Sequence, residues 1–147
     1  MARSVVDEGL RRVFPAAADS EREALGMAVG RVLAEWDELD FALGFGSFFE
    51  GLPYRDLDVA LHSRDGWPLD EATLAAIGRA CERVVRLPVD VVDLVAAPLP
   101  LRFWASRGIA LLVRDPERLA HWKERTWLAY WDMAWMYRQQ WRDLVRP

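Results

Sequence analysis

The chain has 147 residues, 52% of them apolar and 29% charged, a composition that excludes a tail or fibre and predicts one soluble globular domain over 1–147. Nineteen Lys and Arg against 23 Asp and Glu leave a net charge of -4, so no global basic field is available for a phosphate backbone and general nucleic-acid binding is not expected. No apolar run reaches the roughly 20 residues that span a bilayer, Asp7 and Glu8 interrupt the start of the chain where a signal peptide would be apolar, and a lone Cys81 supports no disulfide framework; a cytoplasmic protein with no membrane association is expected.

Weak helical spacing over the first fifteen residues, ended by Pro15, predicts a short helix. Ser20 followed by Glu23 reads as a capping box, and Leu25, Ala28, Val29, Val32, Leu33 and Trp36 recur at helical spacing, which predicts a helix over Ser20–Trp36. The period changes to two at Leu39, Phe41, Leu43 and Phe45, predicting a first strand with Asp40, Ala42 and Gly44 on its other face. A loop rich in Gly and Pro over Gly46–Arg55 precedes a second strand built on Leu57, Val59 and Leu61. After a turn at Ser63–Pro68, a helix is expected with Pro68 in its first turn and Leu74, Ile77, Cys81 and Val84 on its buried face. A third strand over Val89–Val95, a short helix from Pro98 to Arg107, a fourth strand over Ile109–Val113 and one long helix from Pro116 to about Arg142 complete the chain. The order predicts an α/β (α+β) fold, a small mixed sheet with helices packed on it and a long C-terminal helix.

Strand alternation sets Asp56 and Asp58 on one face, about 6.5–7 Å apart at their Cα atoms, while Leu57, Val59 and Leu61 face the other way. Two neighbouring carboxylates raise each other's pKa, and a divalent cation removes that cost. Upstream, Gly46 and Ser47 end the first strand and Gly51 follows; a glycine there lets backbone N–H groups approach a phosphate, with the Ser hydroxyl as a further donor. In Val89–Asp93 the two acids are three apart and must point to opposite faces, so only one can join the pair. With Asp90, three carboxylates converge and two-metal nucleotidyl transfer becomes feasible. His62, on the Asp58 face, reads as a surface imidazole, His121 has no partner that sequence can name, and Cys81 reads as an inert buried thiol.

Gly46-Ser47, the eight residues after it, Asp56-Leu57-Asp58 and Asp90 together resemble the Gly-Ser, Asp-x-Asp and third-acid motifs of the polymerase beta-type nucleotidyltransferase superfamily, and the short chain resembles its minimal nucleotidyltransferase branch. The resemblance spans about Ser20–Val113. It implies that Asp56, Asp58 and Asp90 form the catalytic, Mg2+-binding set, with Asp90 assisting the attacking hydroxyl, and that Gly46, Ser47, Gly51 and Arg55 border the nucleotide, ATP. It further implies an antitoxin paired with a HEPN-type toxin, adenylylated on a tyrosine. Family members commonly carry a basic residue soon after Gly-Ser, whereas Phe48, Phe49 and Glu50 stand here, so the phosphates lose a positive partner unless Arg55 compensates. Two other readings use the same residues: a catalytically degenerate fold that restrains its partner by binding alone, and transfer to a small molecule such as an aminoglycoside, for which so short a chain leaves little material over the acceptor.

Five of the eight tryptophans lie between Trp122 and Trp141. Trp127, Trp131 and Trp135, with Tyr130, Ala134, Tyr137 and Trp141 beside them, form one apolar stripe, which is expected to face the core. Trp122, Ala129, Met133 and Met136 fall off that stripe and are expected to serve a partner or self-association.

Overall fold

A computed structural model describes residues 12–145. The helix expected at the N-terminus falls mainly on residues 1–11, outside the described residues; Phe14 is extended and pairs with Tyr54 through two backbone hydrogen bonds of 2.7 and 3.0 Å, their rings stacked at 5.4 Å. Helix α1 runs over Asp19–Leu33 from an N-cap at Ala18 that offers no side-chain acceptor. It starts one residue before the expected position, so Ser20 lies inside the first turn and the capping box does not form. Asp19 and Glu21 instead place negative charge at the helix start, where the dipole favours it. The helix also stops short of Trp36: the Arg114 guanidinium donates to the carbonyls of Ala34, Trp36 and Leu39, tying the turn after α1 to the first strand.

The sheet comprises β1 (Leu39–Phe45), β2 (Leu57–Ser63), β3 (Val89–Asp93) and β4 (Ile109–Val113) in the order β3-β2-β1-β4, with β1 antiparallel to both neighbours and β2 parallel to β3. The parallel pair requires a crossover, which α3 (Glu71–Val85) provides. Asp70 caps α3 by accepting from the Thr73 amide at 2.7 Å, so Pro68 lies ahead of the helix and not in its first turn. The buried face is Ile77, Cys81 and Val85, at spacing four; Val84, expected inside, is 47% exposed. Short helices α2 (Gly46–Phe49) and α4 (Leu99–Ser106) and the long α5 (Pro116–Val145) complete the element order.

Helices cover the sheet on both faces. On one, α1 and α3 enclose Leu39, Ala42, Leu57, Val59 and Leu61; on the other, Leu119 and Trp122 of α5 and Ala105 of α4 pack with Phe41, Leu43, Phe45 and Ala60. All seven residues of β1 are therefore buried, although their alternation reads as a half-exposed strand. A register shift between Leu39 and Phe41 moves Leu39 to the face opposite Phe41 and leaves Asp40 buried, its carboxylate 3.5 Å from the Arg118 guanidinium.

Of the two expectations for α5, the core-facing stripe is overturned and the off-stripe set is met in part, with Ala129 and Met136 exposed but Trp122 buried. Its buried residues are Leu119, Trp122 and Thr126, with the Trp122 ring 5.2 Å from Phe41, whereas Trp131, Trp135 and Trp141 are 57%, 60% and 70% exposed. A 30-residue helix is about 45 Å long, roughly twice the span of a seven-residue strand, so only its first half has a sheet and α4 to lie against. The contacts with α4 run to Tyr130: the Trp127 indole N–H donates to the Ser106 hydroxyl at 2.7 Å, and Phe103 stacks on Tyr130 at 3.8 Å. Among the described residues no helix is long and apolar enough to cross a membrane.

Candidate active site

The end of β1, the start of β2 and the start of β3 meet at one edge of the sheet. Cross-strand pairing sets Phe45 opposite Asp58 and Asp58 beside Asp90, while Asp56 lies just ahead of β2. Asp56, Asp58 and Asp90, all partly exposed, each present a carboxylate oxygen within 4.8 Å of the others. Parity decides the third acid. In the parallel register Asp90 is level with Asp58 and shares its face, whereas Asp93 lies on the opposite face, where its two oxygens accept from the Leu69 and Val95 amides at 2.9 and 3.0 Å. Those bonds also end β3 at Asp93, two residues before the expected boundary.

Gly46 supplies the space. It has a left-handed backbone, φ 78°, and a Cβ there would collide with the Asp58 carboxylate, so only glycine lets the chain turn directly over that side chain. Three oxygen donors crowded on one face, one of them seated against a bare backbone, are the hard donor set that Mg2+ takes, and the residues fit such an ion.

The neighbouring residues fall into two groups. Ser47 follows Gly46 on α2 and is exposed. Phe48 is fully buried in the core under α1 and α3, and Phe49 packs so closely on Gly44 that a Cβ there would lie 2.7 Å from the ring. The two aromatic residues that stand after Gly46-Ser47 thus anchor α2 to the fold, and Glu50 is exposed. Gly51, with φ 76°, lies under the guanidinium of Arg22, which donates to the Ala17 carbonyl at 2.6 Å and pairs with Asp19. Sequence reading missed Arg22 because no local spacing relates it to Gly51. Arg55 is exposed and precedes Asp56.

A cavity of about 240 Å3 opens beside Gly46, on the β4 side of β1. Trp104 and Arg107 at the end of α4 line it, and no motif pointed to either.

His62 is neither a surface imidazole nor a member of the site. It stacks on Phe41 at 4.8 Å and meets the edge of Trp122 at 6.2 Å, with Nδ1 placed to donate to the Ser63 carbonyl at 2.8 Å. Burial lowers its pKa from the ordinary value, against the pull of the Ser63 carbonyl and of Asp40 and Asp93. Cys81 is buried and its thiol is pushed up to about 11, first by burial and then by Glu82, so it stays protonated and unreactive.

No family model matches the sequence, and none of the curated proteins matches it. Solved structures do share the fold. A chain of the toxin-antitoxin pair MntA-HepT superposes with a TM-score of 0.65 at 16% identity, covering 84% of this chain and 99% of that one. A chain of the complex of the tri-AMPylated Shewanella oneidensis HEPN toxin with its MNT antitoxin gives 0.66 at 16% identity over 85% and 99%. A toxin-antitoxin structure with AMP-PNP gives 0.65 at 17% over 88% and 100%. At these identities the likeness is one of fold, and it extends over nearly the whole length of each chain matched. The α/β architecture of a four-stranded mixed sheet with a long C-terminal helix is thereby shared with minimal nucleotidyltransferase antitoxins.

Proposed function

We propose that the protein is a Mg2+-dependent nucleotidyltransferase that moves AMP from ATP to a hydroxyl of a HEPN-type toxin partner and acts as its antitoxin. The observation that carries this reading is the convergence of Asp56, Asp58 and Asp90 beside a glycine that has room for nothing larger. Asp56 and Asp58, with Asp90, would hold Mg2+, which when bound offsets the triphosphate charge and polarises the α-phosphate. Ser47 donates its hydroxyl to a phosphate oxygen, and the Gly46 turn admits the phosphate chain close to the backbone. Asp90 accepts the proton of the attacking hydroxyl. The new bond joins that oxygen to the α-phosphorus, the bond from the α-phosphorus to the bridging oxygen breaks, and pyrophosphate leaves.

The fold neighbours with AMP-PNP and with a tri-AMPylated HEPN toxin support nucleotide, reaction class and partner together. The exposed end of α5 is the surface we assign to the partner, with Met133, Met136 and Tyr137 lining a groove of about 520 Å3 beside exposed Trp131 and Trp135. The decisive experiment is intact mass spectrometry of a HEPN-type partner incubated with ATP and Mg2+, with and without this protein. One or more additions of AMP that require the protein support the reading, and an unmodified partner that nonetheless binds supports restraint by contact alone. That second reading is favoured by one observation, the replacement of basic residues after Gly46-Ser47 by core-seeking Phe48 and Phe49.

A further inference from the structure

The cavity beside Gly46, the glycine seated against the Asp58 carboxylate, is walled by a part of the chain that no motif touches. Its walls include Gly44 and Gly46 of the β1 end, Glu50 after α2, and Trp104, Arg107 and Ile109 of the α4–β4 junction. We propose that Arg107 is the positive partner of the nucleotide's phosphate chain, standing in from across β1 for the cation missing after Gly46-Ser47; this rests on the nucleotidyltransferase reading and adds a binding residue to it.

Charge on the two sides of Gly46 makes the need plain. A triphosphate lying over the turn would face three carboxylates, which could hold an offsetting divalent ion, and then Glu50, which stands outside that cluster. Among the described residues Arg107 is the only cation lining the same cavity. Its side chain is exposed and makes no hydrogen bond or ion pair with another described residue, so binding a phosphate breaks no existing contact. Arg22, the cation near Gly51, is already held by Asp19 and the Ala17 carbonyl, and neither it nor Arg55 lines the cavity.

The backbone that carries Arg107 is fixed. Its amide donates to the Trp104 carbonyl at 3.2 Å and the Gly108 amide to the Ala105 carbonyl at 2.9 Å. Gly108 packs on the Gly44 carbonyl so tightly that a Cβ there would overlap the oxygen, which locks the α4–β4 junction to the β1 end. A guanidinium on that anchor presents a planar fork suited to two phosphate oxygens at once, a geometry the ammonium of a lysine does not reproduce.

The test is titration calorimetry on the full chain with Mg–ATP and, separately, with inorganic tripolyphosphate and Mg2+. Arg107→Gln should weaken both ligands by about 10- to 100-fold, the worth of charged hydrogen bonds to phosphate. Arg107→Lys should retain part of the affinity, and Glu50→Gln in the Arg107→Gln background should restore some of it by removing the opposing charge. Thermal melts of each variant should overlay the wild type, because the side chain is exposed. Wild-type binding that Arg107→Gln leaves within twofold overturns the assignment of Arg107 alone. Loss confined to ATP, with tripolyphosphate unaffected, moves Arg107 to the base or ribose and overturns the phosphate role. A wild type that binds neither ligand overturns the nucleotide reading and this inference with it.

Discussion

At the scale of single residues, two aspartates three apart on one strand lie on opposite faces, and on the proposed mechanism substitution should separate their roles. Asp90→Asn should lower AMP transfer by orders of magnitude with little change in melting temperature, as expected for loss of a general base or metal ligand. Asp93→Ala should do the reverse, because its carboxylate satisfies the Leu69 and Val95 amides; about 1–3 kcal/mol of stability is expected to go with them while turnover persists. Paired activity assays and urea melts check both, and a dead Asp93→Ala beside an active Asp90→Asn would reverse the assignment. Gly46→Ala tests the seat of Asp58: a left-handed backbone costs an L-residue about 1–3 kcal/mol, and the added methyl also displaces the carboxylate, so Mg2+-dependent nucleotide binding should fall beyond what the stability loss explains. The strand parity of these acids was legible from the sequence. The collision at Gly46 was not, because it depends on how β1 and β2 pair.

At the scale of elements, α5 carries the sharpest contrast. Trp122→Ala removes a ring packed on the Phe41–His62 stack and should cost about 3–5 kcal/mol. Trp135→Ser with Trp141→Ser should leave the melting temperature nearly unchanged and weaken capture of the HEPN-type partner in sedimentation. If these two unfold the protein instead, the exposed end of α5 is structural. The same stack gives a pH dependence. Burial holds the folded-state pKa of His62 below its ordinary 6.5, among Asp40, Asp93 and Arg125. Above 6.5 the imidazole is neutral in both states and its contribution is complete; as pH falls through 6.5 the unfolded chain binds a proton that the folded one does not, and stability declines until the folded-state pKa is reached. Wild type should therefore lose melting temperature on going below pH 6.5, and His62→Phe should flatten that slope. Helical spacing established that α5 has a wide apolar surface, but spacing repeats along the whole helix while the stacking of α4 on it ends about Tyr130.

At the scale of the molecule, the sheet brings residues far apart in sequence to one edge, so ligand binding should be felt by the whole fold. ATP at about 100 times its dissociation constant should stabilise the protein by roughly 2.7 kcal/mol, provided that it binds only the native state. That stabilisation should require Mg2+ and vanish with a chelator or in Asp56→Ala with Asp58→Ala. An ATP-induced rise in melting temperature that survives both would move the nucleotide elsewhere. The net charge of -4 leaves the field around the site to local groups, which is why one arginine at the α4–β4 junction can matter.

The four strands, their order along the chain and the shared face of Asp56 and Asp58 could be read directly, because side-chain alternation is a local property of extended backbone. The mixed topology also followed from a helix lying between β2 and β3. What required the tertiary structure were the facts set by who packs against whom: Asp40 buried at a register shift, Val85 inside in place of Val84, Trp122 in the core with Trp131 outside, and Arg107 beside Gly46. Each is decided by a contact between segments distant in sequence. A periodic pattern marks that a face is apolar, whereas only the finite extent of the neighbouring sheet determines which turns of that face are covered.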